Sequence, residues 1–430
     1  MKFFFTIGIF SIVTFQNFLY GQTFRPFPNN PVISFKQPNP GVWNDPCVLK
    51  VNNEYWMYLT SPNGKTGPFD GNVLPYLMES PDGVIWTLND SVPLLLNNTD
   101  QEAWDSKGVE TPSVIYFNSL YHMYYTAVPE NGQTGQAAIG HATSGDGRLW
   151  TKDKIILEPS GVAADWKSYS VAEPGAVVYN GMIYLYFTGV GARQDTTYPA
   201  GQSVIGLCIS EDGFLFGPAK KVLTQGGLFP ASESYYGYST PAALIIDEAV
   251  HLYYDVVLEN PQWHQTALHH AYSTNGIDSF IEDPLDIFEK SDFTWTSREI
   301  RSPSVLLDSS VIKMWFAGDD IFNSGKFGIG YASSNVPVTG IGMLHGLKKA
   351  SHTICPNPTV NLAIIVASVN FNLASFQLYD NFGRLVREEK NISGQLFVLQ
   401  RDHLPSGIYL IRVVEEGNAI IQDRIIFRDE

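Results

Sequence analysis

Five proline-ended segments recur along the chain, and several of them carry an ionisable side chain. Their prolines are 66, 62, 67 and 62 residues apart, and the segments read Asn44-Asp45-Pro46, Glu110-Thr111-Pro112, Ala172-Glu173-Pro174, Ser239-Thr240-Pro241 and Arg301-Ser302-Pro303. Carboxyl groups held together in a narrow cleft lose hydration and repel one another, which separates their pKa values. Acid–base catalysis needs one ionised and one protonated carboxyl group near neutral pH. Asp45, Glu110 and Glu173 are therefore the predicted catalytic residues.

Each proline opens the same sequence pattern, which indicates a repeated unit of four strands. An apolar run, a turn and an aromatic-rich run follow it, and about 35 residues later a Ser-x-Asp-Gly or Ser-x-Asn-Gly signal predicts a tight primed hairpin turn. Five such units over residues 22–335 predict an all-β fold, a five-bladed β-propeller. The fifth unit has only Ser333-Ser334-Asn335 at this place, as a degraded terminal repeat would. A sandwich of unrelated hairpins is the alternative.

In a propeller, the first strand of each blade lines the central axis, so the five strand starts are expected to face one cavity. Asn44, Ser239 and Arg301 each stand directly before a pre-proline residue and are predicted to bind substrate. Trp43, Trp104 and Trp166 are predicted to stack on sugar rings. Alternatives remain for each: packing between blades for the tryptophans, an ion pair with Glu110 or Glu299 for Arg301, and strand capping for the acids.

The composition limits the classes of partner. The net charge of −16 argues against a nucleic-acid ligand, and the 13% of aromatic residues suits a neutral, polyhydroxylated one. Three scattered cysteines form neither a disulfide framework nor a zinc site. The sequence predicts no cofactor and no metal site, and it leaves open an ion at the propeller axis.

The two ends of the chain differ from the repeats. Residues 1–21 predict a secretory signal peptide, because Met1-Lys2 precedes a short apolar run; no other segment has the length of a membrane span. Residues 336–352 predict a glycine-rich linker. Alternating apolar residues in 353–430 then predict a small C-terminal β-sandwich.

The C-terminal segment resembles the sorting domains of the type IX secretion system of Bacteroidetes. The resemblance is carried by Pro356-Asn357-Pro358-Thr359, by Leu378-Tyr379-Asp380 with Gly383-Arg384-Leu385-Val386, and by Gly407-Ile408-Tyr409-Leu410-Ile411-Arg412-Val413. It implies a secreted or cell-surface protein with the type IX machinery as partner, and removal or anchoring of this segment after export. A sugar-binding accessory module is the alternative.

The propeller segment resembles the five-bladed glycosidases of glycoside hydrolase families 43 and 32. Trp43-Asn44-Asp45-Pro46 is similar to their first-blade motif and Ala172-Glu173-Pro174-Gly175 to the motif of their general acid. The resemblance implies that Asp45 is the base or nucleophile, Glu173 the general acid and Glu110 the third carboxylate. In this chain, however, the acids fall in the first, second and third blades, whereas in those families they usually fall in the first, third and fourth. An invertase or fructanase motif is absent from the sequence.

The residues and the resemblance together predict a secreted glycoside hydrolase that cleaves a plant or algal poly- or oligosaccharide. Two alternatives stay open. A phosphorylase of the related glycoside hydrolase family 130 would use Arg298 and Arg301 to bind phosphate. A non-catalytic, lectin-like propeller would bind glycans through its tryptophans.

Overall fold

The computed structural model describes residues 23–35, 41–62, 72–89, 92–131, 136–192, 200–224, 235–258, 264–283, 285–335, 352–380, 385–415 and 418–429. The predicted signal peptide and almost all of the predicted linker lie outside these ranges. The chain divides into two compact units, Met1–Val336 and Pro337–Glu430. Helix is confined to two single turns, Lys290–Asp292 and Thr294–Thr296, in the part that the structure describes, so no helix there could span a membrane.

The first unit consists of five antiparallel blades, so the predicted five-bladed propeller is confirmed. Blades 1, 2 and 5 are separate four-stranded sheets, and blades 3 and 4 are joined into one nine-stranded sheet by a parallel bridge between Ser203 and Gly237. Its strands are β1 (Arg25–Pro26), β2 (Asn44–Val51), β3 (Glu54–Ser61), β4 (Leu74–Ser80), β5 (Thr87–Leu88), β6 (Gly108–Phe117), β7 (Leu120–Val128), β8 (Ala138–Ser144), β9 (Thr151–Leu157), β10 (Ser170–Tyr179), β11 (Met182–Ala192), β12 (Ala200–Ser210), β13 (Lys220–Leu223), β14 (Tyr235–Ile246), β15 (Ala249–Leu258), β16 (His264–Ser273), β17 (Ile281–Glu282), β18 (Phe288–Glu289), β19 (Glu299–Asp308), β20 (Val311–Asp319) and β21 (Gly328–Asn335). Blades 1 to 4 begin at β2, β6, β10 and β14, and each continues outwards in chain order.

The fifth blade obtains its outermost strand from the start of the chain. β1 pairs with β21 beside β20 and β19, with Arg25 opposite Ser333 and Pro26 opposite Ala332. The missing hairpin signal near Ser333 is therefore no sign of degradation. A fourth strand supplied by the N-terminal segment makes a turn after β21 unnecessary and closes the ring of blades.

The hydrophobic core lies between neighbouring blades. Each of five clusters of buried side chains combines residues from two adjacent blades: for example, Tyr58 of blade 1 packs with Met123 of blade 2, and Trp315 of blade 5 packs with Trp43 of blade 1. Aromatic middle strands thus stabilise the ring through large buried apolar contacts.

The Ser-x-Asp-Gly signals form longer loops than predicted. β4 ends at Ser80 and β5 begins at Thr87, whereas a primed two-residue turn would join the strands directly. The Asp82 side chain explains the difference, because its Oδ1 accepts the backbone N–H groups of Val84 and Ile85, both at 2.8 Å. Only the glycine of the motif takes a positive φ, and a type I′ turn needs two such residues.

These loops connect each blade to the preceding one. The glycine carbonyl of the loop accepts a hydrogen bond from an aromatic side chain in the neighbouring blade: Tyr58 Oη to Gly147 O at 2.9 Å, Tyr124 Oη to Gly213 O at 2.9 Å, Tyr186 Oη to Gly276 O at 2.6 Å and Trp315 Nε1 to Gly83 O at 2.8 Å. The motif that marks the repeat in the sequence is therefore a contact between blades in the fold.

Gly147→Ala should lower the free energy of unfolding by about 1–3 kcal/mol. Gly147 has a φ of +75°, and a Cβ there would lie 2.8 Å from Tyr58 Oη. Gly145→Ala in the same loop is the matched control, because a Cβ there meets nothing within 4 Å. Chemical denaturation of both variants checks this; equal midpoints would contradict the role of the loop.

Two hydrogen-bonded series of histidine, histidine and aspartate, mostly buried, occupy corresponding places in blades 2 and 4. The first histidine Nδ1 contacts the second histidine Nε2, whose own Nδ1 contacts the carboxylate: His122–His141–Asp153 at 3.0 and 3.0 Å, and His251–His270–Asp283 at 2.9 and 2.8 Å. Burial lowers the pKa of His122, of His141 and of His251, for the last to about 3. The folded state thus holds these imidazoles neutral.

Stability should therefore fall in acid. The unfolded chain takes up protons below a histidine pKa of about 6.5 while the native histidines do not, so their contribution is complete above that pH and is lost as the pH drops below it. For His251 alone the loss between pH 7.5 and pH 5 is about 2 kcal/mol. Urea titrations at both pH values should show that His251→Gln loses less stability than the wild type; identical losses would contradict this.

The second unit is a β-domain with its own core. Its strands are β22 (His352–Cys355), β23 (Leu362–Tyr379), β24 (Leu385–Gln400), β25 (Gly407–Glu415) and β26 (Asn418–Phe427). β23 is long and shifts register several times, and it pairs with β22, β24 and β25. Buried Ile365, Phe376 and Ile411 belong to one apolar cluster.

Candidate active site

The innermost strand of every blade has an irregularity at its proline. The residue before the proline takes a positive φ, and the register shifts there: Asp45 (51°), Thr111 (44°), Glu173 (54°), Thr240 (44°) and Ser302 (52°). Proline cannot donate to a ladder, which favours a bulge at this point. A left-handed backbone is costly for a β-branched threonine, and such strain concentrates at functional sites.

These five pre-proline residues and their prolines line a cavity on the axis. The cavity is open to solvent and measures about 280 Å³ with its open part included, and Asp45 and Glu173 are the two acids on its wall. Glu110 and Arg301 stand one residue earlier in their strands, so the prediction that all the ionisable groups hold equivalent positions is wrong for these two. Because of the bulge, the pre-proline residue and the residue before it have different surroundings, and only the pre-proline residue lines the cavity.

Asp45 is held from both sides in the cavity wall. Thr60 Oγ1 donates to its Oδ2 at 2.6 Å, and Ser302 Oγ donates to its Oδ1 at 2.9 Å. The guanidinium of Arg301 adds a cation 3.9 Å from Oδ1. Both oxygens thus accept hydrogen bonds, as those of a carboxylate do. The side chain has one fixed orientation in which it can accept a proton or attack a carbon atom.

Glu173 lies in the same wall in a different electrostatic environment. Its Oε2 accepts a hydrogen bond from Thr188 Oγ1 at 2.7 Å and one from the Thr240 backbone N–H at 3.1 Å. Burial and the negative charge of Asp255 nevertheless raise the pKa of Glu173 to about 7. This carboxyl group can therefore carry a proton at a pH near neutral.

Glu110 is close enough to the two wall acids to respond to both. Burial, followed by the charge of Asp45, raises the pKa of Glu110 to about 7, and Glu173 contributes in the same direction. The structure thus brings the three predicted acids together around one cavity, although Glu110 itself stands behind the wall.

Arg301 is a permanent cation among these acids. Burial favours its neutral form, but the charges of Asp45, Glu299, Glu173 and Asp255 outweigh burial and raise the pKa of Arg301 further above its usual range. Its Nη1 lies 3.6 Å from Glu299 Oε2, so the structural ion pair left open by the sequence is formed with Glu299. Without this cation, several carboxyl groups would share the site with no compensation.

One further acid was missed from the sequence. Asp255 lies on β15 and is 0% exposed, and it accepts hydrogen bonds from the side chains of Ser239 and Thr240 and from the Ser302 N–H at 3.1 Å. A signal for it exists in the repeat. The residue 15 positions after the pre-proline residue is threonine in the first three blades (Thr60, Thr126, Thr188), and the fourth has an aspartate there.

Of the three tryptophans predicted to stack on sugars, one is a core residue and two are partly buried. Trp43 is 0% exposed and packs edge-on against Tyr76, which contradicts its prediction as a substrate-binding residue. Trp166 stacks on Phe187 with ring centroids 5.8 Å apart and covers Gly206, where a Cβ would come within 2.5 Å of the indole. Trp104 is partly buried against the core between blades 1 and 2. Packing thus explains Trp43, whereas the sugar-binding role of the partly exposed Trp104 and Trp166 stays a prediction.

The two other polar residues predicted to bind substrate, Ser239 and Asn44, have different surroundings. Ser239 is buried and donates to Asp255, so its hydroxyl is already engaged. Asn44 pairs with Thr60 at the start of β2, and its Oδ1 is buried with no hydrogen-bond partner among the described residues. In the same part of the chain, no group of three or more His, Cys, Asp or Glu side chains is arranged to hold a metal ion.

Comparison with known proteins connects this geometry to a class of enzyme. Residues 110–225, which include Glu110 and Glu173, match the glycosyl hydrolases family 32 N-terminal domain. Residues 353–428 match the secretion system C-terminal sorting domain. The chain thus combines a propeller that is similar to those of glycoside hydrolases with a sorting domain. Both predicted resemblances are thereby confirmed, and the sorting domain indicates export to the cell surface or the medium.

Proteins similar to this chain include hydrolases and a phosphorylase. Sucrose-6-phosphate hydrolase from Bacillus subtilis (strain 168) is 32% identical over 104 residues, 24% of this chain and 20% of that protein; the match thus spans about a fifth of that relative. A glycosyl hydrolase from Bacteroides ovatus superposes with a TM-score of 0.52 and 16% identity, covering 74% of this chain and 94% of its own. A β-1,2-mannobiose phosphorylase from Listeria innocua has a TM-score of 0.52 and 14% identity, over 73% and 96%.

Proposed function

We propose that the protein is an exported glycoside hydrolase that cleaves a glycosidic bond in a plant or algal poly- or oligosaccharide. The observation that carries the proposal is the pair of unlike acids on one cavity wall. Asp45 accepts hydrogen bonds on both oxygens, while burial and Asp255 raise the pKa of Glu173 to about 7. One proton acceptor and one proton donor near neutral pH are what glycoside hydrolysis requires.

The roles follow from these two environments. The Glu173 carboxyl group gives its proton to the glycosidic oxygen as the bond to the anomeric carbon breaks. Asp45 either takes a proton from the attacking water or attacks the anomeric carbon itself, and water then releases the sugar. Glu110 is the third carboxylate, whose charge state is coupled to that of Asp45 from behind the cavity wall.

Phosphorolysis, the chemistry of one structural relative, is less well supported by the residues. Arg298 and Arg301 are the side chains that the sequence offered for phosphate. Arg298 is bound to Asp319 at 2.7 Å and to Glu299 at 3.1 Å, and Arg301 lies between Glu299 and Asp45. Cations already paired with carboxylates have little charge left for an anion, and the acids of the cavity would repel it.

Product analysis distinguishes the candidate functions. The exported chain is incubated with a panel of plant and algal poly- and oligosaccharides, with and without inorganic phosphate, and reducing sugars and sugar phosphates are quantified. We expect reducing sugars at a rate that phosphate does not change. Sugar phosphates would identify a phosphorylase, and glycan binding without any product would identify a lectin; either result overturns the proposal.

A further inference from the structure

We propose that Asp255 is a positioning residue for the hydrolysis proposed above: from behind the cavity wall it fixes both Glu173 and Asp45. The inference rests on that proposed function, since it assigns a role in the same reaction. Asp255 is 0% exposed and is absent from the cavity lining, so it acts through other groups and does not touch a substrate.

The repeat shows that blade 4 reverses the arrangement found in blades 1 and 3. In blades 1 and 3 the cavity residue is an acid and the β-strand behind it provides a threonine, which donates to that acid: Thr60 to Asp45 and Thr188 to Glu173. In blade 4 the two are exchanged. The threonine, Thr240, is on the cavity wall and donates to the acid behind it. The donor–acceptor pair is preserved while its charge moves out of contact with the cavity.

Asp255 is the midpoint of a hydrogen-bonded path between the two wall acids. Its Oδ2 accepts from Thr240 Oγ1 and from the Ser302 N–H at 3.1 Å. The Thr240 N–H donates onward to Glu173 Oε2 at 3.1 Å, and Ser302 Oγ donates to Asp45 Oδ1 at 2.9 Å. The carboxylate thus orients two residues, Thr240 of its own blade and Ser302 of the next one, and each of these holds one wall acid. A neutral side chain here would accept these hydrogen bonds more weakly.

The charge of Asp255 also acts directly on Glu173. Two charged groups on the innermost strands of the neighbouring blades influence Asp255: Glu173 on β10 and Arg301 on β19. Arg301 attracts both acids, while Asp255 and Glu173 repel each other across a buried site. Removing the negative charge of Asp255 therefore makes ionisation of Glu173 easier and lowers the pKa of Glu173. The proton that Glu173 must donate would then be lost at a lower pH.

Two substitutions separate the charge of Asp255 from its packing. Asp255→Asn keeps the shape, and Asp255→Thr gives blade 4 the residue that blades 1 to 3 have at this position. For both we expect the alkaline limb of kcat/KM to move about one pH unit downwards, with kcat lowered about tenfold at pH 7 and KM nearly unchanged. Asp105→Asn is the matched control, because Asp105 is also buried, binds Lys152 and Tyr125 and does not line the cavity. Asp105→Asn should leave the alkaline limb of the kcat/KM profile at the wild-type pH.

A measurement that does not depend on turnover allows the role of Asp255 to be tested separately from the proposed hydrolase activity. Infrared titration of the Glu173 carboxyl band, assigned with Glu173→Gln in the full exported chain, should show protonation at lower pH in both Asp255 variants. An unmoved limb and an unmoved carboxyl titration overturn the role of Asp255 even if the wild type hydrolyses glycans. A wild type without turnover overturns the hydrolase, while the infrared titration still decides for or against the influence of Asp255 on Glu173.

Discussion

Asp45→Asn should lower kcat by about 10³–10⁴-fold and leave the affinity for sugar nearly unchanged. The amide has the shape of the carboxyl group and can still accept a hydrogen bond from Thr60 or Ser302. It can neither take a proton from water nor attack an anomeric carbon. The loss therefore falls on the chemical step, and KM or a directly measured Kd should change little.

The comparison for this variant is again Asp105→Asn, which neutralises a buried aspartate of blade 2 outside the cavity. Steady-state kinetics on the best substrate of the glycan panel and a denaturation midpoint are measured for both variants. An Asp45→Asn enzyme that retains a tenth or more of wild-type kcat, with folding intact, would remove Asp45 from the reaction.

Glu173→Gln is expected to have the second-largest effect, a loss of about 10²–10⁴ in kcat on natural glycosides. The raised pKa of about 7 means that wild-type Glu173 is protonated below pH 7 and ionised above it. Wild-type kcat/KM should therefore fall as the pH rises through 7, and the variant should show no such limb. On aryl glycosides with acidic leaving groups, Glu173→Gln should lose much less activity, because the glycosidic oxygen of such a substrate needs no proton for the bond to break.

Glu110→Gln tests whether the fall of kcat/KM above pH 7 reflects ionisation of Glu173. Glu110 also has its pKa raised to about 7, so pH dependence alone does not separate the two acids. The alkaline limb and the sensitivity to leaving group should persist in Glu110→Gln and disappear in Glu173→Gln. The reverse pattern would exchange the roles of the two residues.

Features that repeat along the chain could be predicted from the sequence. The regular spacing of the prolines predicted the five blades, because each blade is one local unit of consecutive antiparallel strands. The same periodicity placed Asp45 and Glu173 on one cavity, since a closed ring of blades brings equivalent positions to the axis. The tail motifs predicted a separate exported module, and the sorting-domain match confirms it.

Features that depend on contacts between distant segments could not be predicted in this way. Closure of the ring needs β1 to pair with β21, some 300 residues later in the sequence, and no local signal marks that partner. Trp43 has the sequence context of a binding residue, but its burial depends on how blades 1 and 5 pack. Asp255 lies in an aromatic strand without a proline beside it. Only alignment of that strand with its three counterparts would have revealed the exchange of threonine for aspartate.

A crystal structure of Asp45→Asn with an oligosaccharide that the wild-type enzyme degrades tests the central claim most directly. The account predicts a sugar in the axial cavity, with the glycosidic oxygen about 3 Å from a Glu173 carboxyl oxygen. The amide that replaces the Asp45 carboxylate should lie on the opposite side of the anomeric carbon. A sugar bound with no glycosidic oxygen within hydrogen-bond reach of Glu173, directly or through one water, would contradict paired-carboxylate hydrolysis at this site.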